Sequence, residues 1–141
     1  MTNILRRSAL WASAIITTGF GLALVFAPAA LGEFYGTLTS EATITLSRLF
    51  GAISLAFTVL ALGALRIDDL TARRAIDATF LSGYVFIGLA TLWNVWQYGT
   101  AGADVVTWST VALYAVMAVA FGYFLFGEDM RTTVGRARPV G

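Results

Sequence analysis

The chain has 141 residues, of which 58% are hydrophobic and only 12% charged, with a mean hydropathy of +0.79 and a net charge of +1. Soluble domains carry about 25% charged residues, so this composition belongs to a chain that lies mostly in lipid. The near-zero charge, with no basic patch, argues against a nucleic-acid partner. Cysteine and histidine are both absent, which removes the essential atoms of dithiol redox chemistry, His- or Cys-ligated haem, Cys/His zinc sites and Ser-His-Asp catalysis. No metal and no cofactor is therefore expected.

Uncharged runs occupy residues 8–32, 49–65, 78–103 and 105–127. A helix crosses a hydrocarbon core of about 30 Å with about 20 apolar residues, so four spans are predicted, over about 8–28, 43–65, 75–97 and 105–126. Open strands would leave backbone groups unpaired in lipid. The expected fold is an all-α integral membrane protein, with residues 1–127 forming one bundle of four transmembrane helices.

The first span follows Arg6-Arg7 and ends at Pro28, which cannot continue a helix. Its Ala12, Gly19 and Ala23 are candidates for close helix contact, since small residues let transmembrane helices approach. Arg6-Arg7 with Ala27-Pro28-Ala29 imitates a cleaved signal peptide. The apolar stretch, however, is longer than the usual 7–15 residues, and proline is a poor middle residue for cleavage. The following loop, GEFYGTLTSE, brings Glu33, Tyr35 and Glu41.

The second span carries Ser47, Gly51, Ser54 and Thr58 at steps of four, three and four, a single stripe suited to a packing seam. An alternative makes the hydroxyls of Ser54, Thr58 and Tyr84 line a polar cavity. Arg48 lies 18 residues before Arg66, about 27 Å along a helix. If Arg66 marks one membrane boundary, Arg48 lies just below the other, where its side chain reaches water cheaply.

In the loop RIDDLTARR, Asp69 is placed to cap the next helix. Asp77 follows Arg73 by four residues and Arg74 by three, the spacing of an intrahelical ion pair. The third span continues through Leu81, Tyr84, Gly88 and Thr91 and ends with Trp93, Asn94, Trp96 and Gln97. Asp104 closes the next loop. The fourth span presents Ala112, Ala115, Ala118 and Gly122, and residues 128–141 form a tail expected to be disordered.

Eight of nine arginines fall before the first span, in the loop between the second and third, or in the tail. The positive-inside rule makes that side cytoplasmic, with both termini inside the inner (plasma) membrane. Arg48 is the exception. At its depth stand Trp93, Asn94, Gln97, Glu33, Tyr35, Glu41 and Asp104. An aromatic belt with ordinary loop polarity accounts for such a group. It also allows a shallow outward-facing site, with Arg48 as a clamp for an anion or headgroup. A weak internal repeat is visible too: one constant offset brings Arg6-Arg7 onto Arg73-Arg74 and Gly21-Leu22-Ala23 onto Gly88-Leu89-Ala90, a parallel pair of helical hairpins.

The run FAPAALGEFYG followed by RLFGAISLAFTVLALGAL resembles small bacterial four-helix membrane proteins of the DoxX-like superfamily. Pro28 and the Arg48-x-x-Gly51 motif carry the likeness locally. It implies four membrane helices; DoxX itself is associated with a quinol oxidase, and many relatives have no assigned activity. A looser likeness is to the ergosterol-biosynthesis scaffold family, which also has an arginine–aromatic–glycine run in its second span.

Three functions follow as expectations. The first is a non-enzymatic accessory subunit or a binder of lipid or quinone-like molecules, with membrane lipid and a protein partner or second copy as its associates. The second is a small oligomeric transporter relying on Asp77 or Glu33. The third is an intramembrane enzyme using Glu33, Glu41 or Asp104 as acid.

Overall fold

The computed structural model describes residues 2–36, 40–99 and 104–136, with side chains over 4–36, 40–97, 99 and 105–126. Within them five helices follow in order: α1 (Thr2–Phe26), α2 (Pro28–Phe34), α3 (Glu41–Ala64), α4 (Leu70–Tyr98) and α5 (Asp104–Arg136). Four are long and apolar enough to cross a membrane, over Ile4–Phe26, Glu41–Ala64, Leu70–Gln97 and Val105–Phe126. Phe26, Val59, Phe86 and Val119 are 70–78% exposed. Apolar side chains displayed on every long helix fit a lipid surrounding and not water.

The helix ends follow local chemistry. Pro28 stops α1 and occupies the first turn of α2, where its missing N–H is no loss. The short α2 is absent from the sequence reading. Ser40 caps α3 by accepting from the Thr43 N–H at 3.2 Å. Asp69 caps α4 by accepting from the Ala72 N–H at 2.8 Å, as its position predicts. Gly99 ends α4 with φ of +71° while its N–H reaches the Val95 carbonyl at 2.9 Å, a left-handed turn that a side chain would strain. α5 runs on to Arg136, so helix extends into the segment read from sequence as a disordered tail. No proline interrupts it before that point.

The long helices associate as two hairpins. α1 packs along α3 and α4 along α5, whereas α3 and α4 scarcely touch. The first seam is built from small residues. A Cβ added to Gly51 would lie 2.7 Å from Val25 and 2.8 Å from the Gly21 carbonyl, and one added to Gly21 would meet Leu55 at 2.8 Å. One turn further along, Thr58 Oγ1 lies 2.8 Å from Thr17 Oγ1 and 3.2 Å from that of Thr18. The glycines set the approach and the threonines fasten it. Gly19, the small residue singled out on the first span, has open space around it; Gly21, two positions on and so on another face, makes the contact.

The second seam is aromatic. Phe80 stacks on Phe121 with ring centres 4.9 Å apart, and Tyr84 stacks on the same ring at 6.0 Å. Ala112 and Ala115 are exposed, and Met117, Phe121 and Phe124 form the buried face of α5 instead. A Cβ added to Gly88 would lie 3.6 Å from Tyr114 of its own hairpin, an ordinary contact and looser than the 2.8 Å that one on Gly21 would make with α3. The two glycines matched by the sequence repeat thus differ: close helix approach requires Gly21 and not Gly88.

The hairpins are joined mainly at one end. Leu10, Ala14, Ala61, Ala64, Phe80 and Phe121 are all nearly inaccessible, and all lie toward the end carrying Arg6 and Asp77. Across the core, α1 and α4 are too far apart for backbone contact, yet long side chains bridge them twice. Arg6 Nε donates to the Asp77 carboxylate oxygens at 3.0 and 3.1 Å, and the Tyr84 hydroxyl donates to Ser13 Oγ at 2.9 Å. Each bridge spans 71 residues of sequence. The two lie two helical turns apart on each helix and act as a double clamp. Toward Pro28 the described residues include few buried positions, chiefly Gly21, Gly51 and Pro28.

Candidate functional site

The divergence of the hairpins leaves a cavity of about 490 Å³ beyond the clamp, within the range of small-molecule pockets, about 300–1,000 Å³. One face of each helix contributes. α1 supplies Phe20 and Leu24; α2 and its end supply Pro28, Leu31, Gly32 and Tyr35. α3 gives Thr43, Ile44, Ser47, Phe50 and Ser54, while α4 gives Ile87, Ala90, Thr91 and Asn94. Thr110 and Tyr114 complete it from α5. From Thr43 to Ser54 the wall extends about 16 Å at 1.5 Å per residue, roughly half the depth of a hydrocarbon core.

The walls differ in exposure. Phe20, Leu24, Thr110 and Tyr114 are half-buried and form the back, whereas Phe50, Ile87, Ala90 and Asn94 are exposed. The cavity is therefore a cleft that opens sideways, between α3 and α4, onto the surface that faces lipid. Tyr35 closes its top toward α5. Thr110 gives its hydroxyl proton to the Val106 carbonyl at 2.9 Å, which leaves Tyr35 as donor to Thr110 Oγ1 at 3.1 Å.

The polar lining falls into two classes. Thr91 donates to the Ile87 carbonyl at 2.8 Å, the usual habit of a hydroxyl in a helix, and Thr43 pairs with Ser40 at 2.9 Å. The side chains of Ser47, Ser54 and Asn94 make no hydrogen bond among the described residues. Their two hydroxyls and one carboxamide face the cleft with donors and acceptors free. No charged side chain lines the cleft among the described residues.

The residues proposed from sequence separate accordingly. Asn94 and Tyr35 line the cleft. Arg48 is exposed, lies outside it, and makes no ion pair among the described residues. Glu33 and Gln97 are exposed and also outside it. Trp93 and Trp96, with rings 5.0 Å apart, are 57% and 75% exposed, as residues of an interfacial belt would be. The side chain of Asp104 lies outside the described residues. Of the three hydroxyls suggested for a polar cavity, only Ser54 lines it; Thr58 belongs to the α1–α3 seam and Tyr84 to the clamp.

Asp77 also differs from expectation. The sequence pairs it with Arg73 and Arg74 on its own helix, but both its oxygens engage Arg6 of α1, and the two side chains are each 6% exposed. Spacing within one helix carries no information about a partner on a helix across the core. Sequence reasoning also passed over Ser47 as a cleft residue. At 100° per residue, Ser47 and Ser54 fall about 40° to one side of Gly51 and Thr58, so one apparent stripe serves two neighbours: the glycine edge meets α1 and the serine edge lines the cleft.

Comparison with family models, with curated proteins and with solved structures finds no match for this chain.

Proposed function

We propose that this chain is a non-enzymatic multi-pass membrane protein that takes a lipid-like molecule from the surrounding bilayer into the cleft between α3 and α4. The observation that carries the reading is the sideways opening of a 490 Å³ cavity between two helices that scarcely touch. An aqueous solute would need a path from one end, whereas a membrane-dissolved molecule meets this opening directly. In this reading the arginine-rich end faces the cytoplasm, and the cleft belongs to the outer leaflet of the plasma membrane. Cation transport through Asp77 is less well supported, because that carboxylate is already held by Arg6.

Extraction in a mild detergent followed by native mass spectrometry tests the proposal. One retained lipid-like molecule per chain is expected, and its loss in Ala90→Trp, which fills the cleft from an exposed position. An empty wild-type chain, or equal retention by the variant, would overturn the reading.

A further inference from the structure

We infer that the molecule held in the cleft is an uncharged amphiphile whose hydroxyl or carbonyl head bonds Ser47 and Asn94 while its chain runs inward past Ser54. This inference rests on the proposed lipid capture and names the class of ligand. Three observations carry it. First, the lining offers neutral hydrogen-bonding groups and no charge among the described residues. A phosphate or carboxylate drawn into such a space loses its hydration and gains no countercharge, a costly exchange. The single cation at this depth among the described residues, Arg48, is exposed and is not part of the lining.

Second, the free polar groups are selective. Nine other hydroxyls, on Thr17, Thr18, Thr45, Thr58, Thr79, Ser82, Thr91, Ser109 and Thr110, bond back to a carbonyl of their own helix. Ser47 and Ser54 do not, although both sit in α3 with carbonyls one turn away, and unlike the similarly unbonded Ser8, Thr71 and Thr107 they line the cleft. Asn94 adds a carboxamide that donates and accepts. In lipid, hydrogen-bonding capacity left open in this way is complemented by whatever polar group enters. Third, Ser47 and Asn94 lie near the Pro28 end, whereas the inner part is walled by Phe20, Ile87 and the ring of Tyr114, with Ser54 its one free hydroxyl on α3. The polar-to-apolar gradient matches a head near the interface and a chain about one leaflet long.

The test uses the full chain in vesicles of neutral lipid doped with one of two photoactivatable probes. One is a monoacylglycerol carrying a diazirine in its chain; the other is the lysophosphatidate with the same chain, which differs only by its phosphate. Saturable labelling, competed by unlabelled monoacylglycerol and mapped to peptides of α3 and α4, is expected for the first probe and not for the second. Ser47→Ala and Asn94→Leu should each weaken it about threefold, the value of one hydrogen bond between membrane groups. Both side chains face open space, so the variants should keep the wild-type melting temperature. Equal or stronger labelling by the lysophosphatidate would overturn the uncharged ligand and leave capture standing. Monoacylglycerol labelling unchanged in both variants would overturn the assigned head contacts. Labelling by neither probe would overturn this inference, and with an empty chain in native mass spectrometry would overturn capture as well.

Discussion

Gly51→Ala adds one methyl group where the two helices of the first hairpin meet. The new Cβ would lie 2.7 Å from Val25 Cγ2, 2.8 Å from the Gly21 carbonyl oxygen and 3.0 Å from Leu24 Cβ, where ordinary contact begins near 3.4 Å. The valine can rotate, but the carbonyl belongs to the α1 backbone, so the helices must part by about 0.6 Å, taken from those two distances. Overpacking of this kind costs about 1–3 kcal/mol, and the rigid obstacle puts this case near the upper end. Alanine returns about 1 kcal/mol through its better helix propensity. The net loss is about 2 kcal/mol, or roughly 8 °C in melting temperature at about 4 °C per kcal/mol for a chain of this size. Gly19→Ala is the control on the facing helix, because nothing lies within 4 Å of the added atom; it should gain up to about 1 kcal/mol. Intrinsic tryptophan fluorescence, recorded on heating in one detergent, reads both. If Gly51→Ala melts at or above Gly19→Ala, the close α1–α3 approach is wrong.

The Arg6–Asp77 bridge supplies a second prediction. Asp77→Ala leaves Arg6 buried and unpaired and should cost about 3–5 kcal/mol, while Arg6→Met combined with Asp77→Leu should recover most of that, since an apolar pair avoids desolvating either charge; melting temperatures of the three variants check this. Tyr84→Phe should cost about 0.6 kcal/mol, and that loss should vanish when Ser13 is already alanine, which a double-mutant cycle measures. Arg48→Gln, at an exposed position outside the cleft, should change stability by no more than about 0.5 kcal/mol and leave monoacylglycerol labelling at the wild-type level.

Much of the fold was legible because hydropathy and the 1.5 Å rise per residue fix where a helix enters and leaves lipid. Pro28 and Asp69 announced helix ends through their own backbone chemistry. Gly51 and Thr58 were found because small residues at steps of three and four leave a seam whatever the partner. The sequence could not say which helix lay against that seam, since azimuth is settled by how the helices cross. For the same reason Gly19 was favoured over Gly21, and Asp77 was matched with its helix neighbours while its partner waited 71 positions earlier on α1. The cleft was the least legible feature. It arises where packing stops, and Ser47 and Ser54 look in sequence like any other small polar residues. What distinguishes them is an unmade hydrogen bond in the wall of the cleft, visible only in three dimensions.

A cleft that takes its ligand from the bilayer must be open to lipid beside Ser54. The chain has no cysteine, so a nitroxide can be placed at Ser54→Cys alone and its collisions with oxygen and with a water-soluble nickel chelate measured in vesicles. Labels at the exposed Ile53 and the buried Ala61 serve as references. The label at residue 54 should meet oxygen as readily as the one at residue 53 and rarely meet nickel. Collision with neither, as at residue 61, would mean a closed wall; frequent collision with nickel would mean a water-filled channel. Either result would rule out a cleft open to lipid.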